Sequence, residues 1–203
     1  GWMMFDFHAG EQTIEFAWQI PGTHNVENAT AAIAVLHNLG ADFTALQEGI
    51  SSFKGIKRRY TKHTFENGKI YVDDYAHHPT ELNAVIGSIR TFNPNKKLLV
   101  AFQPHLFSRT RDFADGFAES LAAADELLLL DIYPARELQK DFEGVTSDWL
   151  LEKVQLEKKE VCSLSEAFDK IKEKDFDILL TVGAGNIDTL YDPIMNWIGT
   201  LKN

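Results

Sequence analysis

Residues 70–81 read Ile-Tyr-Val-Asp-Asp-Tyr-Ala-His-His-Pro-Thr-Glu, a stretch that joins an apolar run to two carboxylates, two imidazoles and a proline. Its first three residues are apolar and favour a β-strand, whereas residues 82–89 place apolar side chains at helical spacing. The sequence therefore predicts a strand that leads through a polar loop into a helix. We expect His78 to be the N-cap of that helix, with Pro79 at its first position and Glu81 at its third.

The same change of pattern recurs after residue 57, where apolar runs alternate with amphipathic stretches. Strands are predicted at 70–74, 98–102, 127–132 and 177–182. Helices are predicted at 79–90, 111–123, 147–154 and 163–172. Near-continuous apolar strands between helices indicate an α/β fold, with a Rossmann-like, mostly parallel sheet covered by helices on both faces.

The beginning of the chain has a different pattern. Apolar residues alternate between 14 and 20, an alanine-rich helix is expected to end before Gly40, and Thr44 and Gln47 are placed to form a capping box for a second helix. This small segment of strand and helices is too slight to bury a core alone, so we expect a piece of a larger protein. The predicted domains are 1–57 and 58–203.

Composition narrows the class of protein. The 203 residues are 44% hydrophobic and 25% charged, as in an ordinary globular domain, and the formal net charge is -10. That charge argues against a nucleic-acid binder or a protein held on an anionic membrane, and no apolar run is long enough to span a bilayer. The single cysteine, Cys162, excludes an intramolecular disulfide, so we expect a cytoplasmic protein.

Polar residues follow each predicted strand of the second domain. Ligands of open parallel sheets bind outside the carboxyl ends of the strands, so the loops at this edge are the predicted site. These loops are 73–81, 103–111, 133–137 and 183–186.

The first of these loops could be read as a metal cluster, since Asp73, Asp74, His77 and His78 are all possible ligands. However, neighbouring residues of a strand point to opposite faces, so Asp73 and Asp74 cannot easily share one ion. We therefore expect no metal site, and a metallohydrolase is the weaker alternative. With His78 assigned to the helix cap, Asp74 and His77 are the better functional candidates.

Two other loops carry weaker signals. Arg109 and Arg111 precede the predicted helix, where guanidinium groups and free backbone amides can hold a carboxylate or phosphate. Residues 183–185, Gly-Ala-Gly, lack the third glycine of a dinucleotide fingerprint, and a tight turn explains them. No phosphate loop of the Gly-x-x-x-x-Gly-Lys-Ser/Thr type occurs, so the sequence has no obvious means of holding a nucleotide triphosphate with magnesium by itself.

Six segments taken together resemble the Mur ligase family of bacterial cell-wall synthesis, in the branch that joins L-alanine to UDP-N-acetylmuramate. They follow the family's order over nearly the whole chain, at 22–29, 55–60, 73–81, 102–111, 131–137 and 183–186. The resemblance implies a three-domain enzyme of which this chain covers the end of the central ATPase domain and the complete C-terminal domain.

The resemblance also implies a reaction. ATP, with magnesium, phosphorylates the carboxylate of UDP-N-acetylmuramate, and the amine of L-alanine attacks the resulting acyl phosphate. The chain would then be inactive without the N-terminal and central domains of the same protein. Two alternatives stay open, namely a ligase that recycles a murein tripeptide onto the same sugar nucleotide, and a non-catalytic nucleotide- or amino-acid-binding module.

The family's functional residues carry over to matching positions of this sequence. The implied ATP-binding residues are His24, Asn25, Asn28, Arg59 and Asp74. The implied amino-acid-binding residues are Tyr75, His77 and Arg109. Of all these, the resemblance implies catalytic roles for Arg59, Asp74 and His77. One position departs from the pattern, because Leu106 stands where many relatives carry arginine, and the charge is missing there.

Overall fold

The computed structural model describes residues 2–20 and 22–201, which form two compact units divided between Ile56 and Lys57. In the first unit an antiparallel hairpin and two helices enclose a small core of Phe7, Phe16, Ile33 and Leu46. Its elements are β1 (Met3–Ala9), β2 (Gln12–Trp18), α1 (Thr23–Asn38) and α2 (Phe43–Ser52).

The caps of these two helices test the sequence predictions. Helix α1 ends as predicted, with Gly40 in the left-handed region at φ 98°. The capping box predicted for α2 is wrong, because the helix begins one residue earlier than Thr44. Asp42 is the N-cap instead and accepts a hydrogen bond of 3.0 Å from the amide of Ala45. Gln47 donates to the carbonyl of Glu15 on β2.

The described residues of the second unit contain a six-stranded sheet. Its strands are β3 (Thr61–Thr64), β4 (Ile70–Asp74), β5 (Leu98–Phe102), β6 (Glu126–Leu130), β7 (Lys159–Cys162) and β8 (Ile178–Val182). Their order is β3-β4-β8-β5-β6-β7, with β3 antiparallel to β4 and the other pairs parallel. Since β8 lies between β4 and β5, the loops that follow these three strands are neighbours at the carboxyl edge.

Helices cover both faces of this sheet, which confirms the predicted α/β class. Helices α3, α5 and α6 contribute to a core with Val72 and Val100, while α7 and α8 contribute to a second core with Tyr71 and Leu99 on the opposite face. The helices are α3 (Pro79–Phe92), α4 (Phe107–Asp112), α5 (Ala114–Leu121), α6 (Ser147–Lys153), α7 (Leu164–Lys172) and α8 (Tyr191–Thr200). Short 3-10 segments lie at Gln139–Asp141 and Asn186–Leu190.

Some predicted boundaries were wrong. The helix predicted at 111–123 is two helices, α4 and α5, because Phe113 leaves helical geometry at φ -118° and ψ 19°. Strands β3 and β7 were not predicted; both are four-residue edge strands, and both carry polar residues that hide the apolar signal. In the part of the chain that the structure describes, no helix has the length and apolar character to cross a membrane.

Candidate functional site

The loop from β4 to α3 begins the site, and part of it serves the helix. The imidazole of His78 accepts a hydrogen bond of 3.3 Å from the amide of Thr80, and Glu81 accepts bonds of 2.9 and 3.2 Å from the amides of His77 and His78. This arrangement is a capping box with Pro79 in the first turn, as predicted. His78 therefore stabilises the start of α3.

His77 is oriented by its own loop. Its Nδ1 lies 2.9 Å from the carbonyl oxygen of Tyr75, which can only accept, so Nδ1 carries the proton. With the proton on Nδ1, the lone pair of Nε2 can accept a proton or a hydrogen bond, and none of the described residues makes a hydrogen bond to that atom. The carboxylate of Glu81 lies 3.4 Å from Nδ1, and the ring of Tyr75 packs edge-on at 5.2 Å. The ring of His77 is thus held in place while Nε2 stays available.

Two residues that the sequence did not single out extend this arrangement. The ring of His105, from the loop after β5, lies 6.1 Å from that of His77, and the ring of Tyr133, from the loop after β6, stacks on His105 at 5.7 Å. We call Tyr75, His77, His105 and Tyr133 the carboxyl-edge row. His105 lay within a predicted site loop, but its contact with Tyr133 depends on strand order, which the residue pattern does not provide.

Arg109 lies beside the row. Its Nη1 lies 3.5 Å from Nδ1 of His105. Burial lowers the pKa of His105 from its ordinary value, and the nearby charges of Arg109 and His77 lower it further. His105 is therefore a neutral acceptor near pH 7, next to a guanidinium group that can pair with an anion.

The position predicted for Arg109 and Arg111, just before a helix, is wrong. Arg109 and Arg111 lie inside α4 rather than before a helix, because α4 starts at Phe107. The carboxylate of Glu137 already accepts hydrogen bonds from the amide and hydroxyl of Ser108 in the first turn. Arg111 pairs with Asp112 at 2.8 Å. Glu137 thus already occupies a backbone amide of the first turn, and Arg109 alone of the two arginines reaches His105.

The two adjacent carboxylates separate onto opposite faces, as predicted. The carboxylate of Asp74 accepts bonds of 2.7 Å from the amide of Tyr60 and 2.8 Å from that of Ala76, and burial raises its pKa against the effect of these bonds. Each oxygen keeps a second lone pair for another partner. Asp73 instead accepts a bond of 2.8 Å from the hydroxyl of Thr181. Among the described residues, no three His, Cys, Asp or Glu side chains are grouped to hold a metal ion.

The Gly-Ala-Gly turn lets the loops pack closely. A Cβ on Gly183 would lie 2.5 Å from the carbonyl oxygen of Gln103, and one on Gly185 would lie 2.3 Å from the Gln103 side-chain oxygen and 2.8 Å from Cβ of Tyr133. Gln103 is buried and donates to Asn186 at 2.8 Å. The turn therefore ties the loops after β5 and β8 together beneath the row.

The remaining residues that the resemblance implied are not members of the row. Arg59 is exposed, and the described residues provide its guanidinium with neither a hydrogen bond nor an ion pair. His24, Asn25 and Asn28 belong to the first two turns of α1 in the first unit. Leu106, at the position where arginine was expected, is buried and has a positive φ of 69°.

The fold and the row together define a Rossmann-like domain whose carboxyl edge presents a guanidinium group and two imidazole rings, at the place where open parallel sheets bind ligands. A family model described as "Mur ligase, glutamate ligase domain" matches residues 58–185. The chain belongs to this Mur ligase family.

Relatives with similar sequences carry one name. The UDP-N-acetylmuramate--L-alanine ligase of Flavobacterium psychrophilum is 45% identical over 188 residues, which are 92% of this chain and 42% of that protein. The ligase of the same name from Flavobacterium johnsoniae is 47% identical over 175 residues, 86% of this chain and 38% of that protein. The chain thus spans about two fifths of the length of the curated relatives it matches.

Solved structures agree on the fold. The UDP-N-acetylmuramate-alanine ligase of Thermotoga maritima superposes with a TM-score of 0.74 at 27% identity, over 97% of this chain and 42% of that one. A murein peptide ligase of Psychrobacter arcticus superposes with a TM-score of 0.65 at 22% identity, over 96% of this chain and 41% of that one. The second likeness is one of fold alone.

Proposed function

We propose that this chain is the C-terminal part of an ATP-dependent ligase that joins L-alanine to UDP-N-acetylmuramate in cytoplasmic peptidoglycan synthesis. Residues 1–57 would be the end of its central ATP-binding domain, and residues 58–203 would be its C-terminal, amino-acid-binding domain. The relatives that share this name support the proposal, as does the boundary between the two compact units.

The observation that carries the proposal is the carboxyl-edge row with Arg109 beside it. The guanidinium of Arg109 suits the α-carboxylate of an incoming amino acid, because planar forks bind carboxylates in pairs of charged hydrogen bonds. An ammonium group must lose a proton before it can attack an activated carboxylate. The free Nε2 of His77 is the acceptor we assign to that proton, and the edge-on ring of Tyr75 orients it.

ATP, when bound, supplies the phosphoryl group that activates the carboxylate of the sugar nucleotide. In the second unit, the unpaired guanidinium of Arg59 fits a role at the phosphates, and Asp74 keeps lone pairs for a ribose hydroxyl. In the first unit, His24, Asn25 and Asn28 offer polar groups for adenine. We assign magnesium mostly to residues outside this chain, as the family resemblance implies.

A hybrid protein tests the proposal directly. The chain would be joined to the N-terminal part of the Flavobacterium johnsoniae ligase that it does not match, and phosphate release from ATP would be measured with UDP-N-acetylmuramate. We expect release that depends on L-alanine, and none from the chain alone. A hybrid that folds but responds to a murein tripeptide and not to L-alanine would favour the recycling ligase instead.

Arg109→Ala in this hybrid tests the amino-acid site. Losing a charged hydrogen bond of about 1.5 to 3 kcal/mol should raise the KM for L-alanine roughly 10-fold to 100-fold, with little change in the KM for ATP. Arg111→Ala is the matched control, because that side chain pairs with Asp112 on the same helix. Equal effects of Arg109→Ala on the two KM values would contradict the carboxylate role.

A further inference from the structure

The segment that follows the boundary between the two units has a strained backbone. Arg58 and Tyr60 both lie in the left-handed region, at φ 61° and 51°, although neither is glycine. This conformation costs about 1–2 kcal/mol for each such residue, so surrounding contacts must hold it. Arg59 lies between these two residues.

The adjacent carboxylates of β4 supply those contacts from opposite faces of the sheet. Asp74 accepts the amide of Tyr60 at 2.7 Å. Asp73 is almost fully buried, and its Oδ2 lies 3.6 Å from Nε of Arg58. A chain of hydroxyl groups fixes the other oxygen of Asp73, because Tyr71 donates to Thr181 and Thr181 donates to Asp73, both at 2.8 Å.

The side chain of Arg58 joins several loops at this point. Its Nη2 donates to the carbonyl of Gly183, its Nη1 lies 3.7 Å from the carboxylate of Asp188, and the guanidinium lies over the ring of Tyr75 at 5.1 Å. The amide of Tyr75 also donates to the carbonyl of Arg58 at 2.7 Å. Arg58 thereby fixes residues 57–60 to the loops after β4 and β8.

Of residues 58–60, Arg59 is the exposed one, whereas Arg58 and Tyr60 are partly buried. Its neighbours are held by the buried carboxylate of Asp73 and the partly buried one of Asp74, while its own guanidinium has no hydrogen bond or ion pair to a described residue. Burial raises the pKa of Asp73 to about 6, so the ionised form is kept at the expense of solvation. A buried carboxylate of this kind is costly unless it holds a cation in place.

We propose that Asp73, acting through Arg58, is a positioning residue that holds residues 58–60 so that Arg59 is presented to nucleotide phosphates. We call Asp73 and Asp74, with the Arg58 and Tyr60 they hold, the boundary clamp. The phosphate part of this proposal rests on the proposed function, whereas the clamp itself depends only on the contacts within the second unit.

Limited trypsin digestion of the 203-residue chain tests the clamp. Asp73→Asn should raise cleavage after Lys57, Arg58 and Arg59 about tenfold, because local opening exposes these bonds, and cleavage at other basic residues should not change. Asp175→Asn is the matched control, since its ion pair with Lys97 is on the surface. A uniform rise at every site would show a general stability role and would overturn the clamp.

A double-mutant cycle in the hybrid ligase tests the presentation of Arg59. Asp73→Asn should raise the KM for ATP about fivefold, but in an Arg59→Ala background it should change the KM for ATP less than twofold. Arg58→Lys, which keeps the charge but loses the fork, should behave like Asp73→Asn. Additive effects on the KM for ATP would overturn the proposal.

The two experiments separate the proposals. A folded hybrid with no ligase activity would contradict the proposed function. The trypsin comparison would still decide whether the clamp exists. If Asp73→Asn fails to fold, Arg58→Lys takes its place in the digestion, because lysine preserves the cleavage site.

Discussion

The two edges of the second unit's sheet use the same kinds of residue in opposite ways. At the amino edge, the guanidinium of Arg90 donates to the carbonyls of Ala123 and Lys96 and pairs with Asp125 at 2.9 Å. Asp125 also accepts the amide of Leu98 at 2.7 Å. The charges of Arg90 and Asp125 therefore serve to tie loops to strands at this edge.

At the carboxyl edge Arg58 is paired in the same way, but Arg59 has no hydrogen bond or ion pair to a described residue. Among those residues, the guanidinium of Arg109 has only the ring of His105 as a hydrogen-bond partner. A concentration of charged residues at one end of a sheet does not distinguish the two edges, since both have it. The unused hydrogen-bonding capacity of the charged groups does, because paired groups stabilise the fold while unpaired ones can bind a ligand.

The close packing of the carboxyl edge gives the largest expected effect. Gly183→Ala places a Cβ 2.5 Å from a backbone oxygen at a residue with φ 146°, so we expect a loss of roughly 4 kcal/mol in the free energy of unfolding. At the amino edge Gly68 also has a positive φ, 81°, but nothing lies within 4 Å of its added Cβ. Gly68→Ala should lose only about 1 kcal/mol.

Urea denaturation of both variants, at constant m-value, measures this difference. Similar losses in the two variants would mean that the loops after β5 and β8 can move apart easily, and the carboxyl edge would then not be the rigid framework that the site requires.

The second prediction concerns the dependence of stability on pH. The pKa of Asp73 at the carboxyl edge is raised, whereas the pKa of Asp125 at the amino edge is lowered. Burial raises the pKa of Asp73 to about 6, against an ordinary value of 3.8. The folded state then binds the proton more tightly than the unfolded state, so the contribution of Asp73 to stability falls as pH rises from about 4 to 6. Relative to Asp73→Asn, the wild-type protein should lose about 3 kcal/mol of stability across this range.

Asp125 provides the control. Burial opposes ionisation there, but the amide of Leu98 and the guanidinium of Arg90 outweigh it and lower the pKa. Its stabilising contribution is complete above the ordinary pKa and is lost only in more acidic solution. The difference between wild type and Asp125→Asn should therefore stay constant from pH 4.5 to 6.5, and a slope there would show that the two edges are not electrostatically distinct.

Local signals in the sequence predicted much of the fold. Fully buried strands such as β5 appear as continuous apolar runs, and the cap at His78 is encoded within four residues. Edge strand β3 alternates partly buried and exposed residues and was missed, because only its partner β4 makes it a strand. The break at Phe113 was missed because the helical periodicity of the sequence continues across it.

The candidate site was predictable only in part. His77 and Arg109 were found from their loops and from a family resemblance, but the stacking of Tyr133 on His105 requires the loops after β5 and β6 to be adjacent. Arg58 was overlooked in favour of Arg59 because the sequence does not reveal which of two neighbouring arginines packs against the fold. That choice depends on the left-handed backbone and on the carboxylate of Asp73, which is distant in sequence.

The smallest expected effect compares the two arginines directly. Arg90→Ala removes charged hydrogen bonds to the carbonyls of Ala123 and Lys96 and leaves Asp125 without its cation, so we expect a loss of about 2 kcal/mol in the free energy of unfolding. Arg109→Ala should change it by less than about 0.5 kcal/mol, since no carboxylate or carbonyl depends on that side chain. Both values come from urea denaturation of the chain at pH 7. If Arg109→Ala were as destabilising as Arg90→Ala, Arg109 would be a structural residue, and the unused charge that separates the carboxyl edge from the amino edge would reduce to Arg59 alone.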